Sequence, residues 1–173
     1  MKLVRRLALG GIFLLYILGD VVDAQSGHGG GDWITHHNKR FGLTLQYPAD
    51  LFELERTAKA GDGEMFSAPD LRARLVVGAV ANTKGYDPAS YQAFTERKSY
   101  SKYRVTYRQR GRTWFVLSGV GDGKIFYEKV IFSCGGRLIN GFALTYPVQH
   151  RATVDPVVER IEDSFRPGNG HCP

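Results

Sequence analysis

Between residues 103 and 146 the chain is cut into four strand-length segments by turns too short to hold anything else, and this punctuation most constrains the fold. Arg110-Gly111 separates an alternating run at 103–109 from Thr113–Gly119, Gly121-Asp122-Gly123 leads into Lys124–Ser133, and Gly135-Gly136 leads into Leu138–Tyr146. Connections of two or three residues rich in glycine join antiparallel neighbours, because parallel strands need a crossover of a dozen residues or more. A meander follows. In its first segment Tyr103, Val105 and Tyr107 should point one way and Arg104, Thr106 and Arg108 the other.

Upstream, Phe41–Tyr47 reads as a strand ended by Pro48, a second strand is expected near residues 53–58, and a short one near Met65–Ser67 follows the Gly61-Asp62-Gly63 turn. The long apolar run Ala73–Ala81 should be central in the sheet. Asp87-Pro88 combines an N-cap with a first-turn proline and predicts a helix to about Lys98, with Tyr91 and Phe94 on one face. Asp155-Pro156 repeats that start. The helix it predicts carries Val154, Val157, Val158, Ile161 and Phe165 at helical spacing, a stripe that must cover the sheet. The predicted fold is α+β: an antiparallel meander sheet of six to seven strands covered by two main helices.

The N-terminus has the three parts of an export signal. Lys2, Arg5 and Arg6 precede an apolar run, Leu7–Leu18, and Val22 and Ala24 place small side chains before a cut at Gln25. Twelve apolar residues span about 18 Å as a helix, short of the roughly 30 Å hydrocarbon core, so cleavage rather than anchoring is expected. General secretion to the periplasm or beyond follows, leaving no transmembrane helix in the mature chain. The expected organisation is a signal peptide at 1–24, a Gly-rich linker at 25–35, one domain at 36–166 and a tail at 167–173. An aromatic content of 12% with 43% hydrophobic residues is enough to pack that domain.

Export bears on the remaining chemistry. Cys134 and Cys172 both lie in the exported part, where a disulfide is the expected state; it would close a loop worth about 4 kcal/mol on the chain-entropy model. Removal of the signal lowers the net charge from +6 to +5. This mild positive charge suits an anionic surface or an unknown envelope protein, and export argues against nucleic acid. Lys102, Arg104, Arg108, Arg110 and Arg112 form a candidate anion-binding stripe on the first meander strand, which would equally serve as a solvated face that discourages edge pairing.

Catalytic signals are missing. Ser118 lacks the glycine two residues before it that a nucleophile elbow needs, since Val116 stands there, and no glycine-rich segment ends in the Lys-Ser/Thr of a phosphate loop. Asp62 and Asp122 each bring one carboxylate, too few for calcium, and His28, His36 and His37 lack the spacing of a metal site. Glu128 and Asp122 would need a further carboxylate brought close in space to cleave a glycoside. No cofactor, metal or catalytic residue is assigned. The expectation is an exported, non-enzymatic accessory or binding protein, with a hydrolase acting on cell-envelope polymer as the alternative.

Several segments carry a resemblance. Phe41-Gly42 with Tyr47-Pro48, Trp114–Gly119, Ile125–Lys129, Tyr146-Pro147 and Ser164–Gly168 resemble a group of uncharacterised exported proteins of proteobacteria, over roughly residues 38–168. The order of elements is similar to the PsbP/Mog1/DcrB-like fold. That resemblance implies a binding or accessory scaffold and supplies no functional residues.

Overall fold

A computed structural model describes residues 31–169, 172 and 173. The expected signal peptide and most of the Gly-rich segment lie outside the described residues. The chain forms β1 (Trp33–His37), β2 (Thr44–Pro48), β3 (Glu53–Thr57), β4 (Gly63–Ala68), β5 (Ala73–Ala81), α1 (Pro88–Ser99), β6 (Arg104–Arg110), β7 (Trp114–Gly121), β8 (Lys124–Ser133), β9 (Leu138–Pro147) and α2 (Arg151–Ser164). Strands β3 to β9 make one antiparallel sheet in the order β3-β4-β5-β9-β8-β7-β6, and β1 and β2 pair separately. Thus two meanders, β3-β4-β5 and β6-β7-β8-β9, are joined by α1 and meet where β5 pairs with β9. The expected class holds, with seven strands in the main sheet.

The sheet has two unlike faces. On one, Leu75 and Val77 of β5 and Phe142 and Leu144 of β9 are fully or almost fully buried beneath Val154, Val158 and Ile161 of α2 and Leu43 and Leu45 around β2. On the other, α1 and the turns flanking it cover Phe115, Leu117, Phe126 and Phe132 of β7 and β8 with Tyr86, Tyr91 and Tyr100. Beyond α1 this second face is open: Val76 and Val80 of β5 are 45% and 47% exposed.

Two boundaries and one alternation differ from the sequence reading. Strand β1 begins at Trp33, inside the segment expected to be linker, because its pairing with β2 and the packing of Arg160 over the Trp33 ring, 4.1 Å from its centroid, order it. Helix α2 begins at Arg151 rather than at Asp155, so Pro156 sits inside it. Asp155 does not cap the helix; it accepts a hydrogen bond from the Tyr146 hydroxyl, and the extra turn carries Val154 into the core. In β6 the pairing shifts between Val105 and Tyr107. That bulge breaks the expected alternation, since one unpaired residue sends every later side chain to the opposite face.

Cys134 and Cys172 are bonded, with Cα atoms 5.6 Å apart. The tail they hold is also fixed from within. Fully buried Asn140 accepts from the Gly168 N–H (3.0 Å) and donates to the Ile131 carbonyl (3.1 Å) and the Ser133 hydroxyl (2.9 Å), while that hydroxyl donates to the Gly168 carbonyl (2.6 Å).

Glycines cross the open face in register: Gly63 pairs with Gly78, and Gly78 with Gly141. They are not equivalent. A Cβ on Gly78 would lie 2.5 Å from the Asp62 carbonyl oxygen, whereas one on Gly141 would meet only the Lys129 carbonyl oxygen at 3.4 Å and a Val130 methyl at 3.5 Å. In urea unfolding Gly78→Ala is expected to cost roughly 2 kcal/mol, and Gly141→Ala to stay within about 1 kcal/mol of the parent protein. Equal effects would show that the backbone approach at Gly78 is wrong.

Candidate functional site

Side-chain size along two adjacent strands creates a groove on the open face. On β5 the residues facing outward are Val76, Gly78 and Val80, and opposite them on β9 stand Ala143, Gly141 and Ile139. Small residues occupy the middle while Tyr91 of α1 forms one wall, leaving a depression of about 290 Å³. The groove therefore results from α1 standing over β7 and β8, with no element among the described residues packed over β4 and β5 on that side.

Glu128 of β8 lies in this groove. Its strand neighbours on the same face are Leu117 and Ala143, neither able to solvate a carboxylate. Loss of water pushes its pKa up to about 7, and the nearby Tyr100 hydroxyl offsets part of that cost. Tyr100 itself is buried, stacked on Phe126 with ring centroids 3.6 Å apart, and its hydroxyl is held far above the ordinary phenol range first by burial and then by Glu128. Tyr91 is raised for the same two reasons in the same order. Glu128 is thus a carboxyl balanced near neutrality against an apolar wall, beside two tyrosines.

The predicted basic stripe does not form one surface. Because of the bulge, Arg108 and Arg110 lie on the α1 face and Arg104 on the other. Arg108 donates from Nε to Glu96 Oε2 at 3.0 Å and makes a second contact from Nη2 to Oε1, while Arg110 donates to Gln92 Oε1 at 3.0 Å. These two arginines clamp α1 to the edge strand. Arg104, Lys102 and Arg112 remain exposed. Three other residues singled out by sequence are occupied structurally: His36 meets Glu64 at 3.1 Å, Asp62 pairs with Arg40 at 3.7 Å, and the Ser118 hydroxyl donates to the Phe126 carbonyl at 2.8 Å, while His28 lies outside the described residues. Among the described residues no group of three or more His, Cys, Asp or Glu side chains is placed to hold a metal ion.

Sequence reasoning passed over the groove, although glycine inside a strand pattern is a signal for close approach by another backbone or a ligand. Gly78 and Gly141 both sit in otherwise apolar strands. Glu128 carried no such mark, since its surroundings come from α1 and β9 rather than from its neighbours in the chain.

Its ionisation should be measurable as stability. A carboxyl raised from 4.5 to about 7 in the folded state binds its proton more tightly there than in the unfolded chain, so folding loses stability as pH rises through that window. The loss is up to about 3 kcal/mol. Glu128→Gln should therefore gain on the parent protein by up to that amount between pH 4.5 and pH 7, and His36, lowered mainly by burial, cancels in the comparison. A difference independent of pH would mean that Glu128 ionises as freely as in water.

No family model and no curated protein matches the chain. Solved structures do. The yeast (Saccharomyces cerevisiae) Ran-binding protein Mog1p superposes with a TM-score of 0.57 at 9% identity, over 79% of this chain and 95% of that one. The PsbP protein CyanoP of Synechocystis sp. PCC 6803 gives 0.59 at 14% identity, over 84% and 98%. At these identities the likeness is one of fold, and this chain has the PsbP/Mog1-like α+β fold.

Proposed function

We propose that this is an exported accessory or binding protein of the periplasm that performs no chemistry and holds its ligand against the uncovered half of its sheet. The observation that carries this reading is the groove along Val76, Gly141 and Ala143, an apolar depression left open by small side chains on the exposed half of the sheet. That the fold is shared with a Ran-binding protein and a PsbP protein supports a scaffold used for association rather than reaction. The export signal read in residues 1–24 supports the compartment.

One observation favours the alternative of a hydrolase acting on envelope polymer: a carboxyl with a pKa near 7 suits a general acid. Such cleavage needs a second carboxyl within about 5–10 Å. The other acid at the groove, Asp62, adjoins Gly63 on β4, three strand spacings or roughly 14 Å of backbone from β8. It is also paired with Arg40. A lone acid without a positioned partner is better suited to binding.

Cell fractionation with intact-mass measurement tests the compartment, and the expected product is a periplasmic chain beginning at Gln25. A cytoplasmic, full-length product would contradict export. Incubation with purified wall polymer tests the chemistry: no turnover is expected, and turnover lost in Glu128→Gln would install the hydrolase instead.

A further inference from the structure

Further along the same face of β5 and β9, next to the groove at Arg74 and Thr145, lies a wider cavity of about 590 Å³ whose chemistry is different. On β5 the outward residues run Arg74, Val76, Gly78, Val80, and on β9 Thr145, Ala143, Gly141, Ile139 in register with them. The seven residues from Arg74 to Val80 make a path about 20 Å long. At the Arg74 end, Arg72 and Lys124 join Arg74 around the cavity, and Ser67, Thr145 and Tyr103 add hydroxyls. Glu55 is the opposing charge there and lies 3.6 Å from Arg74. Arg72 and Lys124 have no acidic partner among the described residues.

Toward the Val80 end the walls are apolar, and the two acids at the groove are Asp62, paired with Arg40, and Glu128. Around Glu128, α1 and its C-terminal cap contribute Tyr91 and Tyr100, β7 contributes Leu117 and β9 contributes Ala143, so no cation faces it. A ligand complementary to this path is narrow, apolar for most of its length and negative at one end. We propose that the open face binds a single-chain anionic amphiphile, with its tail along Val76, Val80 and the glycine floor and its acidic head group between Arg72 and Lys124. The assignment rests on the binding reading above and names its ligand class. Charge complementarity selects the head group, and the floor at Gly141, where a Cβ would meet nothing closer than 3.4 Å, admits the tail.

Displacement of a dansylated undecanoic acid probe from the purified protein tests it, with lauric acid, dodecanol, inorganic phosphate and phosphatidylglycerol vesicles as competitors. Lauric acid should displace the probe at least 10-fold more strongly than dodecanol at pH 6, and the double variant Arg72→Gln/Lys124→Gln should erase that preference. Gly141→Val, which fills the floor, should weaken laurate at least 10-fold. Should that variant lose its circular dichroism signature, Val76→Gln/Val80→Gln, at two exposed positions, reads the same contact and should weaken laurate likewise. Laurate affinity should also fall as pH rises past 7 and become insensitive to it in Glu128→Gln.

Absence of probe binding overturns the proposal, as does laurate affinity unchanged in a folded Gly141→Val or in the valine double variant. Displacement by phosphate alone would assign the basic cavity to free anions, and displacement by vesicles but not by laurate would assign it to a membrane surface; either result overturns the amphiphile. The titration uses purified protein, so it reads independently of export and of any turnover.

Discussion

The register of β5 on β9 decides both what this protein buries and what it leaves open. Pairing Val77 with Phe142 and Leu75 with Leu144 puts four large side chains under α2, and the same register necessarily places Gly78 opposite Gly141 on the other face. A slip of one residue would bring the glycines to the core and expose the apolar set. The hydrophobic gain from the buried set, about 2 kcal/mol for each large side chain, therefore also fixes the floor of the groove. Core and candidate site are two sides of one pairing.

Coverage completes the arrangement. Helix α1 has little segregation of apolar residues, and its attachment relies on the Asp87–Ser90 capping box, an aromatic cluster and the Arg108 and Arg110 contacts from the edge strand. The bulge in β6 makes that attachment possible by turning Arg108 onto the helix side. Two of the five basic residues that in sequence suggest a docking stripe, Arg108 and Arg110, thus seat the helix that walls the groove. Arg72 and Lys124, which line the adjoining cavity without an acidic partner among the described residues, come from a turn and a strand start far apart in the chain.

Periodicity and turn chemistry made most of the framework readable. The limits of β5 match the apolar run Ala73–Ala81, and the Asp87-Pro88 start matches a fully formed capping box. What escaped reading depends on contacts distant in sequence. Alternation in 103–109 carries no sign of an unpaired residue, because a bulge is a property of two strands. The second Asp-Pro failed as a helix start because Asp155 found Tyr146 as a partner and burial of Val154 extended the helix backward. Glu128 looks in sequence like any polar strand residue, and only the half-covered sheet makes it unusual.

The uncovered half-sheet beside α1 is the surface we propose for ligand binding. Backbone amide NMR during titration with lauric acid tests it most directly. Shifts are expected to be confined to Val76–Val80, Lys124, Glu128, Gly141–Thr145 and the Arg72 turn, with α2 and β1–β2 unmoved. Shifts centred on α2, on β1–β2 or on Arg104–Arg110 would contradict it.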